Sequence, residues 1–141
     1  MKIVDTNVLL YAVSERSAHH ASARGWLTQA LHGPEVIGMP WVTLLGFIRI
    51  LTHPRVFPCP LTAAQATELV QTWLSAPAVV IPEPSARHLS LLAGLLRESG
   101  TAGNLTTDAH LAALAIESSA TVVTFDRDFG RFGIPVETPQ I

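Results

Sequence analysis

Apolar residues along this chain alternate between short runs and helical periodicities. The short β-branched or apolar runs predict strands at residues 2–4, 36–38, 78–81 and 121–124, with a candidate fifth strand at Val136. Apolar spacing and helix-start signals predict helices at residues 7–13, 18–31, 41–51, 62–74, 85–98 and 107–117. The alternation predicts an α/β protein with a mostly parallel sheet covered by helices.

Local signals place several of the helix ends. Pro40 precedes the third helix, where the fixed φ of proline suits the first turn. Thr62 and Gln65 have the spacing of a capping box, which opens the fourth helix. Gly100 follows the fifth helical pattern and is expected to stop it.

The chain length and composition fit one domain with a substantial core. The 141 residues match the usual domain size of roughly 100–150, so residues 1–141 are predicted to form a single domain. Hydrophobic residues make up 48% of the chain and charged residues only 14%, against a typical ~25%. Such a surface has room for apolar contacts with a partner.

The charge balance argues mildly against a tight, nonspecific binder of nucleic acid. The formal net charge is −2, and eight of the nine basic residues are Arg. A nucleic-acid binder is normally basic, although a bound cation changes the sign of the local field. Charge alone therefore leaves a nucleic-acid substrate open.

The sequence predicts a cytoplasmic protein without a membrane anchor. Cys59 is the only cysteine, so no disulfide can form within the chain and a reducing compartment is expected. Asp5 interrupts the N-terminal apolar run, and the longest uncharged stretches, residues 36–48 and 69–82, are too short to span a bilayer.

Acidic residues fall where an open parallel sheet places its functional groups. Asp5 follows the first strand, Asp126 follows the fourth, and Asp128 lies two positions further on. Asp108 lies in the first turn of the last helix, where the helix dipole favours a carboxylate. Because the carboxyl ends of parallel strands share one edge, these side chains are expected to meet there. Converging carboxylates repel unless a hard dication such as Mg²⁺ or Mn²⁺ compensates them.

Each acid also has an ordinary structural interpretation. Asp108 could simply stabilise a helix N-terminus, and Asp126 could be a loop acid. Thr6 and Asn7 more often cap a helix than contact a ligand. Asp5 is the least easily explained, because it directly follows an apolar strand.

These residues carry a resemblance to a known family. The segments that carry it are DTN at residues 5–7, NLTTDAHLA at 104–112, TFDRDF at 124–129, WV at 41–42, FIR at 47–49 and LTHPR at 51–55. In this order and spacing they resemble the motifs of PIN domains, and within them VapC-type toxins of a mycobacterial-like subgroup. The resemblance runs from Lys2 to about Glu137.

The resemblance implies a three-layer α/β/α sandwich and a Mg²⁺- or Mn²⁺-dependent endoribonuclease. Its substrate would be structured RNA such as tRNA or rRNA, cut to inhibit translation. Asp5, Asp108 and Asp126 would be catalytic and bind the metal, with Asp128 as a further ligand. The resemblance also implies a homodimer and inhibition by a cognate VapB-type antitoxin.

Gly46 departs from the family pattern. The second acid of the family is usually a Glu just before the Phe-x-Arg segment, and this chain has Gly46 there. We expect the gap to admit water or to let Arg49 approach the acids, since Arg49 lies one helical turn along on the same face. One metal is then expected to bind with reduced activity, and a Glu restored at position 46 is expected to tighten Mn²⁺ binding.

Other polar and aromatic residues complete the set of candidates. Candidate substrate contacts are Thr6, Asn7, Arg49, Arg55, Arg127 and Arg131. His19 and His20 are expected to be solvated, and His110 is expected to be structural because it points away from Asp108 on a helix.

Two other functions remain as alternatives. A PIN-like fold lacking the second acid could bind RNA or an antitoxin while cutting poorly. A phosphoryl-transfer enzyme could use Asp5 as a nucleophile, but Asn7 replaces the acid that phosphatases of the haloacid-dehalogenase type carry two positions later, and Lys2 is the only lysine. Neither the G-x-x-x-x-G-K nor the G-x-G-x-x-G nucleotide motif is present.

Overall fold

The computed structural model describes residues 1–100 and 103–141. Its strands are β1 (Lys2–Val4), β2 (Ile37–Gly38), β3 (Val79–Val80), β4 (Thr121–Val123) and β5 (Val136–Glu137). Its α-helices are α1 (Thr6–Val13), α2 (His20–His32), α3 (Trp41–Leu51), α4 (Ala63–Leu74), α5 (His88–Ser99) and α6 (Thr106–Ser118). Short 3₁₀ helices at Gly103–Leu105 and Arg127–Phe132 were not predicted.

The strands form one sheet in the order β3-β2-β1-β4-β5. Every neighbouring pair is parallel, so the sheet is fully parallel where the sequence predicted a mostly parallel one. On the central strand, Ile3 is in register with Gly38 on one side and Val122 on the other. The carboxyl ends of β1 and β4 therefore reach the same edge side by side.

Alternate residues of the central strands pack into two separate cores. Val4 and Val123 join apolar side chains of α1, α2, α3 and α4. Ile3 and Val122 join those of α5, α6 and the 3₁₀ helix at Arg127–Phe132. Because successive strand residues point to opposite faces, these two cores lie on opposite sides of the sheet. The α/β/α sandwich is confirmed.

The predicted helix ends are confirmed where the signal is local. The Thr62 side chain accepts from Gln65 N, and the Gln65 side chain accepts from Thr62 N, which closes the capping box. Gly100 ends α5 in the left-handed region, at φ 77°. The start of α5 was placed three residues too early, because Ser85 N–H and Oγ are engaged by the Glu117 carboxylate of α6.

No helix within residues 1–100 and 103–141 is both long enough and apolar enough to cross a lipid bilayer.

Candidate active site at the carboxyl edge of the sheet

The site begins where β1 and β4 leave the sheet. The backbone N–H of Asp5 donates to Val123 O at 2.9 Å, which extends the pairing of the two strands by one residue. Thr124 follows β4 and is fully buried. Parallel pairing therefore brings the segments after β1 and β4 into contact, although they lie more than 100 residues apart in sequence.

Both carboxylate oxygens of Asp5 are held by hydrogen bonds. Oδ1 accepts from Thr6 N at 2.7 Å, which makes Asp5 the N-cap of α1. Oδ2 accepts from Thr124 Oγ1 at 2.7 Å and from Asn7 Nδ2 at 3.3 Å. The carboxylate is therefore fixed in orientation before any ligand arrives.

Asn7 joins the two segments to each other. Its Nδ2 lies 3.1 Å from Thr124 Oγ1, and its Oδ1 accepts from Phe125 N at 3.1 Å. Thr124 Oγ1 also accepts from Asp126 N at 3.0 Å. The capping interpretation of Asn7 is wrong, because Asp5 is the cap and Asn7 positions it. Thr124 was not predicted, although a hydroxyl residue directly after a buried strand and before an acid is a usable signal.

The pKa values of Asp5 and Asp108 both respond to the charge of Asp126. Burial raises the pKa of Asp5, hydrogen bonds from Thr124 and Thr6 oppose that rise, and the charge of Asp126 adds to it. Burial, followed by the charges of Asp5 and Asp126, raises the pKa of Asp108 to about 6, while Arg131 lowers it. The structure thus brings the three predicted acids together.

Asp126 and Asp128 have different surroundings. Asp126 Oδ1 accepts from Asp128 N at 2.9 Å and caps the 3₁₀ helix at Arg127–Phe132. The Asp128 side chain is 75% exposed and pairs with Arg131 at 3.3 Å. Asp128 thus lies at the solvent side of the group, where it sets the position of Arg131.

The acids form an open array rather than a closed cage. No group of three or more His, Cys, Asp or Glu side chains in the described residues is assembled closely enough to hold a metal by itself. Mg²⁺ commonly keeps several waters and binds one or two carboxylates. The all-oxygen donors fit such a hard, partly hydrated dication, and so do the burial and mutual repulsion that together raise the pKa of Asp108.

Gly46 does not leave the gap that the sequence suggested. A Cβ added at Gly46 would lie 2.8 Å from Thr6 Oγ1 and 3.2 Å from Thr6 Cγ2. Thr6 Oγ1 also donates to Thr43 O at 3.2 Å, which holds the side chain over Gly46. The expectation of a space open to water or to Arg49 is therefore wrong: the Thr6 side chain fills it.

The basic candidates differ in the contacts that link them to the acids. Arg131 acts on the pKa of Asp108, and the neighbouring Arg127 is exposed at the start of the 3₁₀ helix. Arg49 and Arg55 are exposed, and within the described residues neither has an ion pair with an acid of the site. The structure therefore ties Arg131 to the carboxylates by charge, and Arg127 adjoins Asp126 in the chain.

Several histidine contacts were not predicted. The expectation that His20 is solvated is wrong, because its side chain is half-buried and its Nδ1 lies 2.9 Å from Tyr11 O. His110 Nδ1 lies 2.8 Å from His88 Nε2 across α5 and α6, which supports the structural interpretation of His110. His19 is exposed, but its ring stacks on Phe125 at a centroid distance of 4.5 Å. Contacts between distant segments carry no local sequence signal.

The side chain of Asn104, in the third motif, lies outside the described part.

Comparison with known proteins decides the family. Residues 2–135 match the PIN domain. This chain belongs to the PIN-domain family. It is 50% identical over 132 residues to Ribonuclease VapC37 of Mycobacterium tuberculosis, covering 94% of this chain and 92% of that one. It is 43% identical to Ribonuclease VapC33 of the same organism, over 94% and 92% of the two chains. The resemblance to mycobacterial VapC proteins is confirmed.

Solved PIN-domain structures share the fold at low sequence identity. VapBC2 from Rickettsia felis, bound to a promoter DNA fragment, matches with a TM-score of 0.70 at 20% identity, over 99% of this chain and 98% of that one. Mycobacterium tuberculosis VapC20, described as a sarcin-ricin loop cleaving toxin, matches with a TM-score of 0.70 at 18% identity, over 95% of this chain and 96% of that one. These matches confirm the fold.

Proposed function

We propose that this PIN domain is a Mg²⁺- or Mn²⁺-dependent endoribonuclease and the toxin of a VapBC-type pair. The observation that carries the proposal is the meeting of Asp5, Asp108 and Asp126 at the carboxyl edge, where their charges act on one another. The names of the curated relatives, Ribonuclease VapC37 and Ribonuclease VapC33, support the same reaction class.

Asp5, Asp108 and Asp126 would hold the dication, with Asp128 as a further ligand at the exposed side. When bound, such an ion supplies an activated water and stabilises the leaving oxygen of a phosphodiester. Thr124 and Asn7 keep the Asp5 carboxylate in one orientation.

RNA would reach the site along its exposed arginines. Arg131, whose charge acts on Asp108, and the exposed Arg127, which follows Asp126 in the chain, would contact backbone phosphates. The exposed Arg49 and Arg55 would supply further phosphate contacts. The side chains of Thr6 and Asn7 already make hydrogen bonds within the protein. We therefore propose that they position neighbouring groups of the site rather than contact the substrate directly. Structured RNA such as tRNA or rRNA remains the proposed substrate class.

A VapB-type antitoxin is the proposed inhibitor. Structures that match this fold include VapBC complexes. One is DNA-bound VapBC from Salmonella typhimurium, which matches this chain with a TM-score of 0.67. This chain has a cavity of about 550 Å³ between α1 and the segment after α3, lined by apolar residues that include Leu10, Val56 and Phe57. Val56 is 56% exposed there. An apolar antitoxin segment would bury this surface.

A homodimer is part of the same proposal. Trp41 and Leu45 on α3 are 47% and 59% exposed, and Leu89 on α5 is 75% exposed. Large apolar side chains of this kind are commonly covered by a partner. Sedimentation equilibrium of the wild type and of Leu89→Glu tests whether the exposed face of α5 joins two copies, and Leu45→Glu tests the exposed face of α3 in the same way.

The nuclease proposal is tested by RNA cleavage with purified protein. We expect Mn²⁺-dependent cleavage of tRNA and rRNA that is lost in Asp5→Asn and on addition of EDTA. Glu68→Gln is the matched control, because Glu68 is an exposed acid on α4 that has no contact with the site. Equal cleavage by the wild type and Asp5→Asn contradicts the proposal.

The open arrangement of the acids favours one second candidate, an RNA- or antitoxin-binding module that cuts poorly. No closed metal cage exists within residues 1–100 and 103–141. That candidate predicts RNA binding by the wild type with no Mn²⁺-dependent cleavage in the same assay.

A further inference from the structure

Three aromatic rings from separate segments form a cluster beside the carboxylates. The His19 ring stacks on Phe125 with centroids 4.5 Å apart and planes 29° apart. Tyr11 packs edge-on to Phe125 at 5.3 Å and tilts against His19 at 5.3 Å. We call Tyr11, His19 and Phe125 the aromatic platform.

The platform is linked to the acidic site through the Asn7 side chain. Phe125 N donates to Asn7 Oδ1, and Asn7 Nδ2 donates to the Asp5 carboxylate. Phe125 also directly precedes Asp126 in the chain. A nucleotide flanking a phosphate held at the carboxylates would therefore have its base close to these rings.

His19 is the member that faces solvent. Its backbone is fixed, because His19 N donates to Ser17 Oγ at 3.1 Å and His19 O accepts from Ala23 N at 2.9 Å. No hydrogen bond occupies either ring nitrogen within residues 1–100 and 103–141, and the residue is exposed. One face of the imidazole covers Phe125, which leaves the other face available to a planar ligand.

The charge distribution suggests that RNA binding needs contacts other than those to phosphate. The chain has a net charge of −2, and Arg131 is the arginine whose positive charge acts on Asp108. Phosphate contacts alone would hold RNA weakly on this surface. Aromatic rings can supply the missing affinity by stacking on unpaired bases, a contact that every base can make.

We propose that the aromatic platform, through the exposed face of His19, binds an unstacked RNA base next to the cleaved phosphate. This inference rests on the proposed nuclease function, since it places the base relative to the acidic site. It assigns His19 a substrate-binding role in place of simple solvation.

Base stacking and phosphate contact can be separated with two probes. One is a fluorescein-labelled, ten-nucleotide adenosine RNA, and the other is an abasic ribose-phosphate strand of the same length. Binding is measured by fluorescence anisotropy in an Asp5→Asn background, so that cleavage does not consume the probe. His19→Ala is expected to weaken binding of the adenosine strand on the order of ten- to one-hundredfold, with the abasic strand unchanged.

Further variants separate stacking from packing. His19→Phe keeps a flat ring and is expected to retain binding of the adenosine strand, whereas His19→Leu covers Phe125 without a flat ring and is expected to lose it. His32→Ala is the matched control, because His32 is an exposed histidine at the other end of α2. Thermal unfolding of each variant confirms that it is folded.

The outcomes distinguish this inference from the nuclease proposal. Unchanged binding by His19→Ala, or equal loss with both strands, overturns the platform. If the wild type cleaves RNA and Asp5→Asn does not, that result leaves the nuclease proposal standing. If the protein neither binds nor cleaves RNA, both proposals fall.

Discussion

The contact between Thr6 and Gly46 makes a quantitative prediction about the packing beneath the site. A Cβ at position 46 would lie 2.8 Å from Thr6 Oγ1 and 3.2 Å from Thr6 Cγ2, but 3.6 Å from Thr6 Cβ. The first two distances require a shift, and the third is an ordinary contact. Gly46→Ala therefore forces the Thr6 side chain away from Thr43 O, to which it donates at 3.2 Å.

Opposing effects set the size of the change. Overpacking costs about 1–3 kcal/mol, and the lost hydrogen bond contributes about 0.5–1.5 kcal/mol. Replacing glycine by alanine inside a helix stabilises the folded protein by about 1 kcal/mol. The turned Thr6 relieves part of the overlap, so we expect Gly46→Ala to destabilise the protein by about 1–2 kcal/mol. In a Thr6→Ala background only the 3.6 Å contact remains, and Gly46→Ala should stabilise by up to about 1 kcal/mol.

Urea unfolding of the wild type, both single variants and the double variant measures this coupling. We expect an interaction energy of about 2–3 kcal/mol between the two sites. Effects that add to within about 0.5 kcal/mol would show that Thr6 does not occupy the space beside Gly46. The same contact implies that Gly46→Glu tightens Mn²⁺ binding only when it is combined with Thr6→Ala.

Three other predictions follow from the acids and their hydrogen bonds. Because the folded pKa of Asp108 is raised to about 6, its ionisation opposes folding, so apo-protein stability should fall as pH rises from about 4 through 6. After allowance for solvent screening the loss is about 1–2 kcal/mol, measured by urea unfolding, and Asp108→Asn should abolish it. Mn²⁺ affinity by calorimetry should drop about fourfold from pH 7.5 to 5.5, as Asp108 takes up a proton; a pH-independent affinity would exclude Asp108 as a ligand. Asn7→Ala should destabilise the protein by about 1–3 kcal/mol and slow cleavage, because it leaves Phe125 N without its acceptor.

Local signals predicted the helices well, whereas features that depend on long-range contacts could not be predicted from sequence. The capping box of Thr62 and Gln65 needs only four residues, and α4 begins where it was expected. The start of α5 depends on Ser85 binding Glu117, a residue 32 positions away, which no local pattern encodes. Exposed and irregular segments such as the 3₁₀ helix after Asp126 have no periodicity to detect.

The acids of the site could be predicted because parallel topology determines where strands end. Asp5 and Asp126 follow strands that are neighbours in the sheet, so their proximity follows from the fold class. The hydrogen-bond partners of Asn7 and Thr124 could not be predicted, since both depend on side-chain contacts across more than 100 residues.

The filling of the space at Gly46 was missed for a related reason. The sequence shows that position 46 lacks a carboxylate. It does not show that the Thr6 side chain, which belongs to another helix, fills the space beside Gly46. Which side chain of one helix fills the space beside another helix cannot be predicted from sequence, even when both helices are correctly placed.

The central claim is that carboxylates from distant segments bind one dication at the carboxyl edge of the sheet. Diffraction from crystals soaked in Mn²⁺, recorded at the manganese absorption edge, locates the ion directly. The account predicts an anomalous peak in contact with Asp5 and Asp108. A well-ordered site without such a peak, or an ion bound only elsewhere on the molecule, would contradict it.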